Sequence, residues 1–123
     1  MVEAGEIFQV GNTRLELVNF FKPKEVFIEG REMIRRAIAL HANLGSHYVK
    51  VVLDHSNKIP KSYDEYDLVF AGARLKKRVS FECTDYEFIA YLRKVRGCWF
   101  LGYGNIDFDW DMRARLIRPF LFF

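Results

Sequence analysis

The first stretch of the chain alternates apolar and polar residues with a period of two, which predicts a β-hairpin. Residues 6–10 and 13–20 form the two predicted strands, and the Gly-Asn pair between them suits a two-residue turn that matches strand twist. Pro23 then interrupts the pattern. Residues 25–28 fit two alternatives, a third short strand or the first turn of a helix that begins at Pro23.

The apolar period becomes helical over residues 31–43. Met33 and Ile34 fall on the apolar face of this segment, and Gly45 stands where a helix terminator is expected. Residues 48–53 are almost continuously apolar, which predicts a central strand covered on both faces. The next elements after a surface loop are a strand pair at residues 67–71 and 74–83, the second of which alternates a mostly apolar face with a polar one.

A second helix is predicted over residues 84–96. Thr84 and Glu87 have the spacing of a capping box, an apolar stripe follows at helical spacing, and basic residues stand in the last turn. Gly97 is the expected terminator of this helix. The sequence therefore predicts two helices among many strands.

The last part of the chain reads as strands. Residues 98–103 and 106–112 predict a second hairpin around a Gly-Asn pair, and residues 116–123 predict a final strand that Pro119 places at a sheet edge. The predicted fold class is α+β, with a mostly antiparallel sheet of six to eight strands and two helices packed on one face. We expect a single domain over residues 1–123.

Composition narrows the class of protein without naming an activity. Nineteen basic and sixteen acidic residues give a net charge of +3, and aromatic residues make up 16% of the chain. No apolar run approaches the ~20 residues of a membrane span, and the first residues do not predict a signal peptide. We expect a cytoplasmic protein with no membrane contact, in which Cys83 and Cys98 are buried free thiols.

Three carboxylates alternate along the predicted strand at 106–112. They are Asp107, Asp109 and Asp111, which would project from one face of a strand. A metal site for Mg²⁺ or Mn²⁺ is one interpretation. The favoured one is structural, in which the carboxylates face a basic ladder on a neighbouring strand and form cross-strand ion pairs. That ladder consists of Arg74, Lys76 and Arg78.

Basic residues interleaved with aromatic ones are the main candidate binding surface. Aromatic side chains beside cationic ones are what proteins use to stack and hold single-stranded nucleic acid. The candidate binding residues are Arg74, Lys76, Arg78, Arg93, Lys94, Arg96 and Trp99. Sixteen acidic residues oppose this interpretation, because they cancel much of the field that attracts phosphates.

Catalytic and cofactor motifs do not emerge from the sequence. The three histidines have no zinc spacing, neither cysteine carries a nucleophile signature, and no glycine-rich phosphate loop precedes a helix. We therefore assign no catalytic residue, no cofactor and no metal, and an enzyme is the less favoured class.

The favoured function is a small non-catalytic protein-binding or regulatory module that acts through an exposed aromatic and charged surface. The alternative is RNA or single-stranded DNA binding through a basic-aromatic sheet face, and the second alternative is a metal-dependent phosphoryl-transfer or nuclease-type enzyme that uses the three aspartates. The tail at 120–123 is apolar without alternation, so we also expect a homodimer through the C-terminal strand. Its interface residues would be Phe120, Phe122 and Phe123.

Overall fold

The computed structural model describes residues 3–79 and 84–120, with side chains for residues 7–78 and 85–120. Short 3₁₀ turns at Ser56–Lys58 and Lys61–Tyr63 connect the second helix to the fourth strand. In chain order the strands and helices are β1 (Glu3–Val10), β2 (Thr13–Asn19), β3 (Phe27–Glu29), α1 (Gly30–Ala39), α2 (Ser46–Asp54), β4 (Asp67–Val79), β5 (Thr84–Val95), β6 (Cys98–Asn105), β7 (Asp109–Asp111) and β8 (Ala114–Pro119).

Six strands form one sheet in the order β1-β2-β8-β4-β5-β6, and β3 pairs with β7 in a separate two-stranded sheet. Every pairing is antiparallel except the one between β4 and β8. The predicted α+β class, with a mostly antiparallel sheet and two helices, is confirmed. The first hairpin is also confirmed, because β1 pairs with β2 around Gly11, which has a φ of 60°.

The large sheet carries one helix on each face, whereas the sequence placed both on one face. Alternation along β4 shows the arrangement: Leu68 and Phe70 belong to the core that contains α2, and Val69 and Ala71 belong to the core that contains α1. Successive side chains of a strand point to opposite faces. We call these surfaces the α1 face and the α2 face. Both faces of the middle strands are apolar, so each face needs a cover of its own.

The prediction of a central strand at residues 48–53 is wrong, because these residues belong to helix α2. Val49 and Val52 are buried at i,i+3 spacing, while Lys50 and Asp54 are exposed. A short apolar run fits a buried strand and a buried helix equally well. Gly45 precedes this helix and does not end α1, which stops at Ala39. No helix of the described residues is long and apolar enough to cross a membrane.

The prediction of a helix at residues 84–96 is also wrong, because Thr84–Val95 form strand β5. Arg96 and Gly97 have φ values of 52° and 83°, and a left-handed conformation at both central positions is that of a type I′ hairpin turn. Gly97 therefore turns the chain from β5 into β6. The pairing of Val95 with Cys98 closes the hairpin.

The predicted edge position of the C-terminal strand is wrong as well. β8 lies in the middle of the sheet, antiparallel to β2 and parallel to β4. Pro119 is tolerated because its register partner is Leu15 of β2 alone, while the pairing with β4 stops at Leu116. A proline without an N–H removes a ladder bond only where a second strand would accept it.

Two further predicted strand pairs are replaced by other connections. Residues 67–71 and 74–79 belong to the one strand β4, which pairs with β5 through an irregularity between Phe70 and Arg74. Strands β6 and β7 are not a hairpin, since β6 pairs with β5 and β7 pairs with β3. Gly104 lies inside β6, where a Cβ atom would come within 2.4 Å of the Trp110 ring.

Candidate functional site

The predicted basic ladder forms ion pairs, but its partners are on β5. Lys76 lies opposite Glu87 and Arg78 opposite Asp85 in the β4–β5 register. Arg74 reaches the Glu87 carboxylate at 3.3 Å, and Arg78 reaches Asp85 at 3.6 Å. The expected pairing with the three aspartates is therefore wrong, because β7 is not next to β4.

The three aspartates do not form a cluster. Asp107 lies in the turn after β6, where Arg31 donates to it at 2.8 Å. Asp109 and Asp111 flank buried Trp110 on β7 and are exposed. Among the residues whose positions the structure gives, no three His, Cys, Asp or Glu side chains are grouped so that they could hold a metal ion.

Arg93 and Lys94, predicted as binding cations on a helix, are bound to carboxylates beside β5. Arg93 donates two hydrogen bonds of 2.8 Å to the buried carboxylate of Asp67, and its guanidinium lies 5.2 Å from the centre of the Tyr91 ring. Hydrogen bonding to Asp67 raises the pKa of Arg93 above its ordinary value. Lys94 lies 3.1 Å from both carboxylate oxygens of Asp64.

The predicted basic-aromatic surface is thus divided. Arg93 lies opposite Phe100 in the β5–β6 register and Lys94 lies opposite Trp99, so the two cations point to different faces. Trp99 is half-buried against the core of the α2 face, and Arg96 lies in the hairpin turn. No single face therefore presents the predicted set.

Among the strands that the structure describes, β6 pairs with β5 alone and so forms an open edge of the large sheet. The Ile106 N–H donates to the carbonyl of Glu87, and ladder bonds to one neighbour recur at every second residue of an antiparallel strand. Gly104, Gly102 and Phe100 are then bonded to β5. The N–H and C=O groups of the residues between them, Trp99, Leu101 and Tyr103, point away from the sheet.

This edge is apolar and carries no charge. All eight residues of β6 are uncharged, and none is proline. Phe100 is 55% exposed, Leu101 40% and Tyr103 48%. The opposite edge, β1, differs because it contains Glu3 and Glu6 and a register shift between Ala4 and Ile7. Charges and bulges are the devices that protect an edge from pairing, and β6 has neither.

Two glycines of β6 make room for aromatic rings on the α1 face. A Cβ on Gly102 would come within 2.6 Å of the Tyr91 ring, and Gly104 lies under the ring of Trp110. Tyr91 and Trp110 contact each other edge to face at 5.6 Å. A cavity of about 270 Å³ opens beside Gly102. It is lined by Tyr91, Arg93, Val95, Phe100, Leu101 and Gly102.

A surface groove of about 810 Å³ lies beside α1, away from β6. Stacked Phe20 and Phe21 line it, and Arg36 is bound to the carboxylates of both Glu25 and Glu32. Hydrogen bonds from Arg36 and from the Lys22 N–H lower the pKa of Glu25 to about 2. Arg35 also pairs with Glu32, so the two carboxylates and the two arginines form a structural ion-pair network, while Lys22 and Lys24 line the groove as well.

The predicted C-terminal interface loses its structural basis. Phe120 is half-buried, and its N–H donates to the carbonyl of Arg14 at 2.7 Å. Phe122 and Phe123 lie outside the described residues. Strand β8 has a neighbour on each side, so it does not offer an open edge for a dimer.

The remaining candidate side chains lie apart from each other. Cys98 is exposed, contrary to the prediction of a buried thiol, because it stands at the start of the edge strand. Cys83 lies outside the described residues. Of the histidines, His41 has a φ of 56° just after α1, and His55 contacts the carbonyl of Val51 through Nδ1 at 2.9 Å.

No family model, no curated protein and no solved structure matches this chain. Its function must therefore be inferred from the geometry alone. The sequence interpretation missed Leu101 and Tyr103, which form the exposed edge together with Phe100. The absence of charge from residues 98–105 was visible in the sequence, but it identifies an uncharged sheet edge only once the strand order is known.

Proposed function

We propose that this protein is a non-catalytic protein-binding module that accepts an extended segment of a partner along β6. The observation that carries the proposal is the uncharged, unprotected edge of this strand. In β-strand addition, main-chain hydrogen bonds supply affinity and alternate side chains supply specificity. Trp99, Leu101 and Tyr103 offer the main-chain groups, and the exposed apolar side chains of the edge offer the contacts.

The charges of the molecule support a protein ligand over a nucleic acid. Nucleic-acid binding needs cations that are free to neutralise phosphates and release the counterions condensed on them. Four of the predicted binding cations, Arg74, Arg78, Arg93 and Lys94, are already paired with carboxylates. The β6 edge adds no cation of its own.

A display library of random twelve-residue peptides tests the proposal directly. We expect the immobilised chain to enrich extended, β-prone peptides that bind the wild-type protein and are lost on Leu101→Lys. The matched control is Ile38→Lys, since Ile38 is an apolar side chain on α1 that is 54% exposed, away from the edge. This control variant should bind the peptides as the wild type does.

Two outcomes would overturn the proposal. One is that no peptide is enriched on a folded, monomeric protein, and the other is that the enriched peptides bind the Leu101→Lys variant as well as the wild type. Circular dichroism of both variants verifies the fold. Retention on heparin that survives Leu101→Lys and weakens steeply with salt would favour the nucleic-acid alternative.

A further inference from the structure

We infer that the segment that pairs with β6 is the β6 strand of a second copy of this chain, in an antiparallel register centred on Leu101. The inference rests on the proposed function, since it names the partner of the same edge. A two-fold axis places the same surface on both subunits, so an edge must be self-complementary to pair with itself. The sequence of β6 meets this condition at each position from 98 to 104.

The main-chain groups of β6 are complementary to those of a second copy. In a register centred on Leu101, Trp99 lies opposite Tyr103 of the second copy, and Leu101 lies opposite its own counterpart. The hydrogen bond from Ile106 to Glu87 implies that the N–H and C=O groups of these residues point away from β5. Each of them therefore faces a residue whose main-chain groups are also unpaired with β5. β6 pairs with β5 without a register shift, which leaves a regular row of donors and acceptors.

Side chains on the α1 face combine large with small. Phe100 lies opposite Gly102 of the second copy, and Cys98 lies opposite Gly104. The Tyr91 ring already lies over Gly102, so the Phe100 ring of the second copy would occupy the adjoining cavity of about 270 Å³ and pack against Tyr91. The two Phe100 rings become diagonal neighbours, which is within the reach of aromatic side chains.

On the α2 face the pairs are aromatic and aliphatic. Trp99 meets Tyr103 of the second copy at each end, and Leu101 meets Leu101 at the centre. Aromatic pairs directly across strands are among the favourable ones. A register centred on Phe100 would pair only residues 98–102 within β6, and one centred on Gly102 would place glycine against glycine.

The absence of charge from the edge is what a two-fold axis requires. Symmetry brings like residues near each other, and like charges placed together cost several kcal/mol at an interface. Because β6 carries no charged residue, none of these symmetric pairs repels. A charged edge would favour binding to a partner of opposite charge, whereas an uncharged edge can pair with a copy of itself.

Sedimentation equilibrium of the full chain at micromolar concentration is the first test. We expect a reversible dimer, and we expect Leu101→Lys to weaken dimerisation by more than about a hundredfold, since it places two lysines face to face. The matched control Ile38→Lys should dimerise as the wild type does. A monomeric wild-type protein, or a dimer that Leu101→Lys leaves intact, would overturn the inference.

Cysteine crosslinking tests the register even if Leu101→Lys misfolds. With Cys83 and Cys98 replaced by serine, Leu101→Cys places two sulfurs on opposite residues of a hydrogen-bonded pair. Their Cα atoms would be about 5.5 Å apart, within the roughly 4.4–6.8 Å range of disulfides. We expect Leu101→Cys to form a disulfide dimer on mild oxidation, whereas Phe100→Cys and Gly102→Cys form none. Preferential crosslinking at Phe100 or Gly102 would refute the register.

The outcomes separate this inference from the proposed function. A monomer whose enriched peptides are lost on Leu101→Lys refutes the second copy as partner but retains strand addition to another protein. A monomer that enriches no peptide refutes both.

Discussion

Replacing Arg93 with methionine tests whether this residue is structural, as its contacts indicate, and not a cation reserved for a ligand. Arg93→Met keeps most of the aliphatic stem and removes the guanidinium that donates two 2.8 Å hydrogen bonds to Asp67. The side chain of Asp67 is only 6% exposed, so the substitution leaves a carboxylate buried without its main partner. The protein should therefore become less stable.

The structure sets the magnitude. Removing one member of a buried ion pair costs about 3–5 kcal/mol, but that range applies where both partners are withdrawn from water. The side chain of Arg93 is 41% exposed, so water can reach the vacated position, and Arg113 stays 3.9 Å from the same carboxylate. Both features reduce the loss, and we expect Arg93→Met to lower the free energy of unfolding by about 2–3 kcal/mol.

Urea unfolding followed by circular dichroism measures this loss, and Arg78→Met is the matched control. Arg78 pairs with Asp85 at 3.6 Å, and both side chains are more than 60% exposed. An exposed pair of this kind contributes less than about 1 kcal/mol. Equal slopes of free energy against urea would show that the variants unfold by the same transition. In a double-mutant cycle, Arg93→Met with Asp67→Asn should cost less than the sum of the two single changes.

A loss for Arg93→Met no larger than that for Arg78→Met would contradict a structural role for Arg93. Additive losses in the cycle would contradict it too, because the guanidinium would then be acting independently of Asp67. Either result would return Arg93 to the set of cations available to a ligand.

Two further predictions concern Glu25 and Gly72. The pKa of Glu25 is about 2, below the ordinary 4.5, so the stability that its contact with Arg36 contributes is present above about pH 4.5 and is lost as the pH falls towards 2. Glu25→Gln should therefore remove part of the acid dependence of unfolding, and a Glu25 carboxyl that titrates near 4.5 by NMR would contradict this. Gly72→Ala places a Cβ 2.2 Å from the Asn43 carbonyl oxygen and should cost about 1–3 kcal/mol in a thermal or urea melt. Gly45→Ala, whose nearest neighbour is 3.9 Å away, should cost less, and equal losses would count against the close contact.

Local pattern predicted the elements whose neighbours in space are also neighbours in sequence. The β1–β2 hairpin followed from alternation and a Gly-Asn turn, because the turn itself specifies the pairing. Helix α1 followed from an amphipathic period that needs only one apolar surface. These predictions required no knowledge of strand order.

Elements that are covered on both faces were not predicted correctly from local pattern. Ile89, Ala90 and Leu92 of β5 are all buried, because the strand lies between two strands and both of its faces are covered. Because consecutive positions are buried, the apolar residues of β5 do not alternate with a period of two. The spacing of Thr84 and Glu87 also matches that of a helix N-terminus, although no helix begins there. The candidate site shows the same limit, since the uncharged stretch at 98–105 is a property of the sequence whereas its position at the sheet edge depends on distant strands.

The central position of β8 has a consequence for biosynthesis. The β1–β2 hairpin and the β4-β5-β6 meander are joined within the sheet only through β8, which the ribosome makes after every other strand described here. Until residues 114–119 emerge, β2 and β4 each present an unpaired edge, and the nascent chain holds two half-sheets without their shared strand. Since non-local pairing is slow and exposed edges invite association, the synthesis of β8 is the step that covers these two edges.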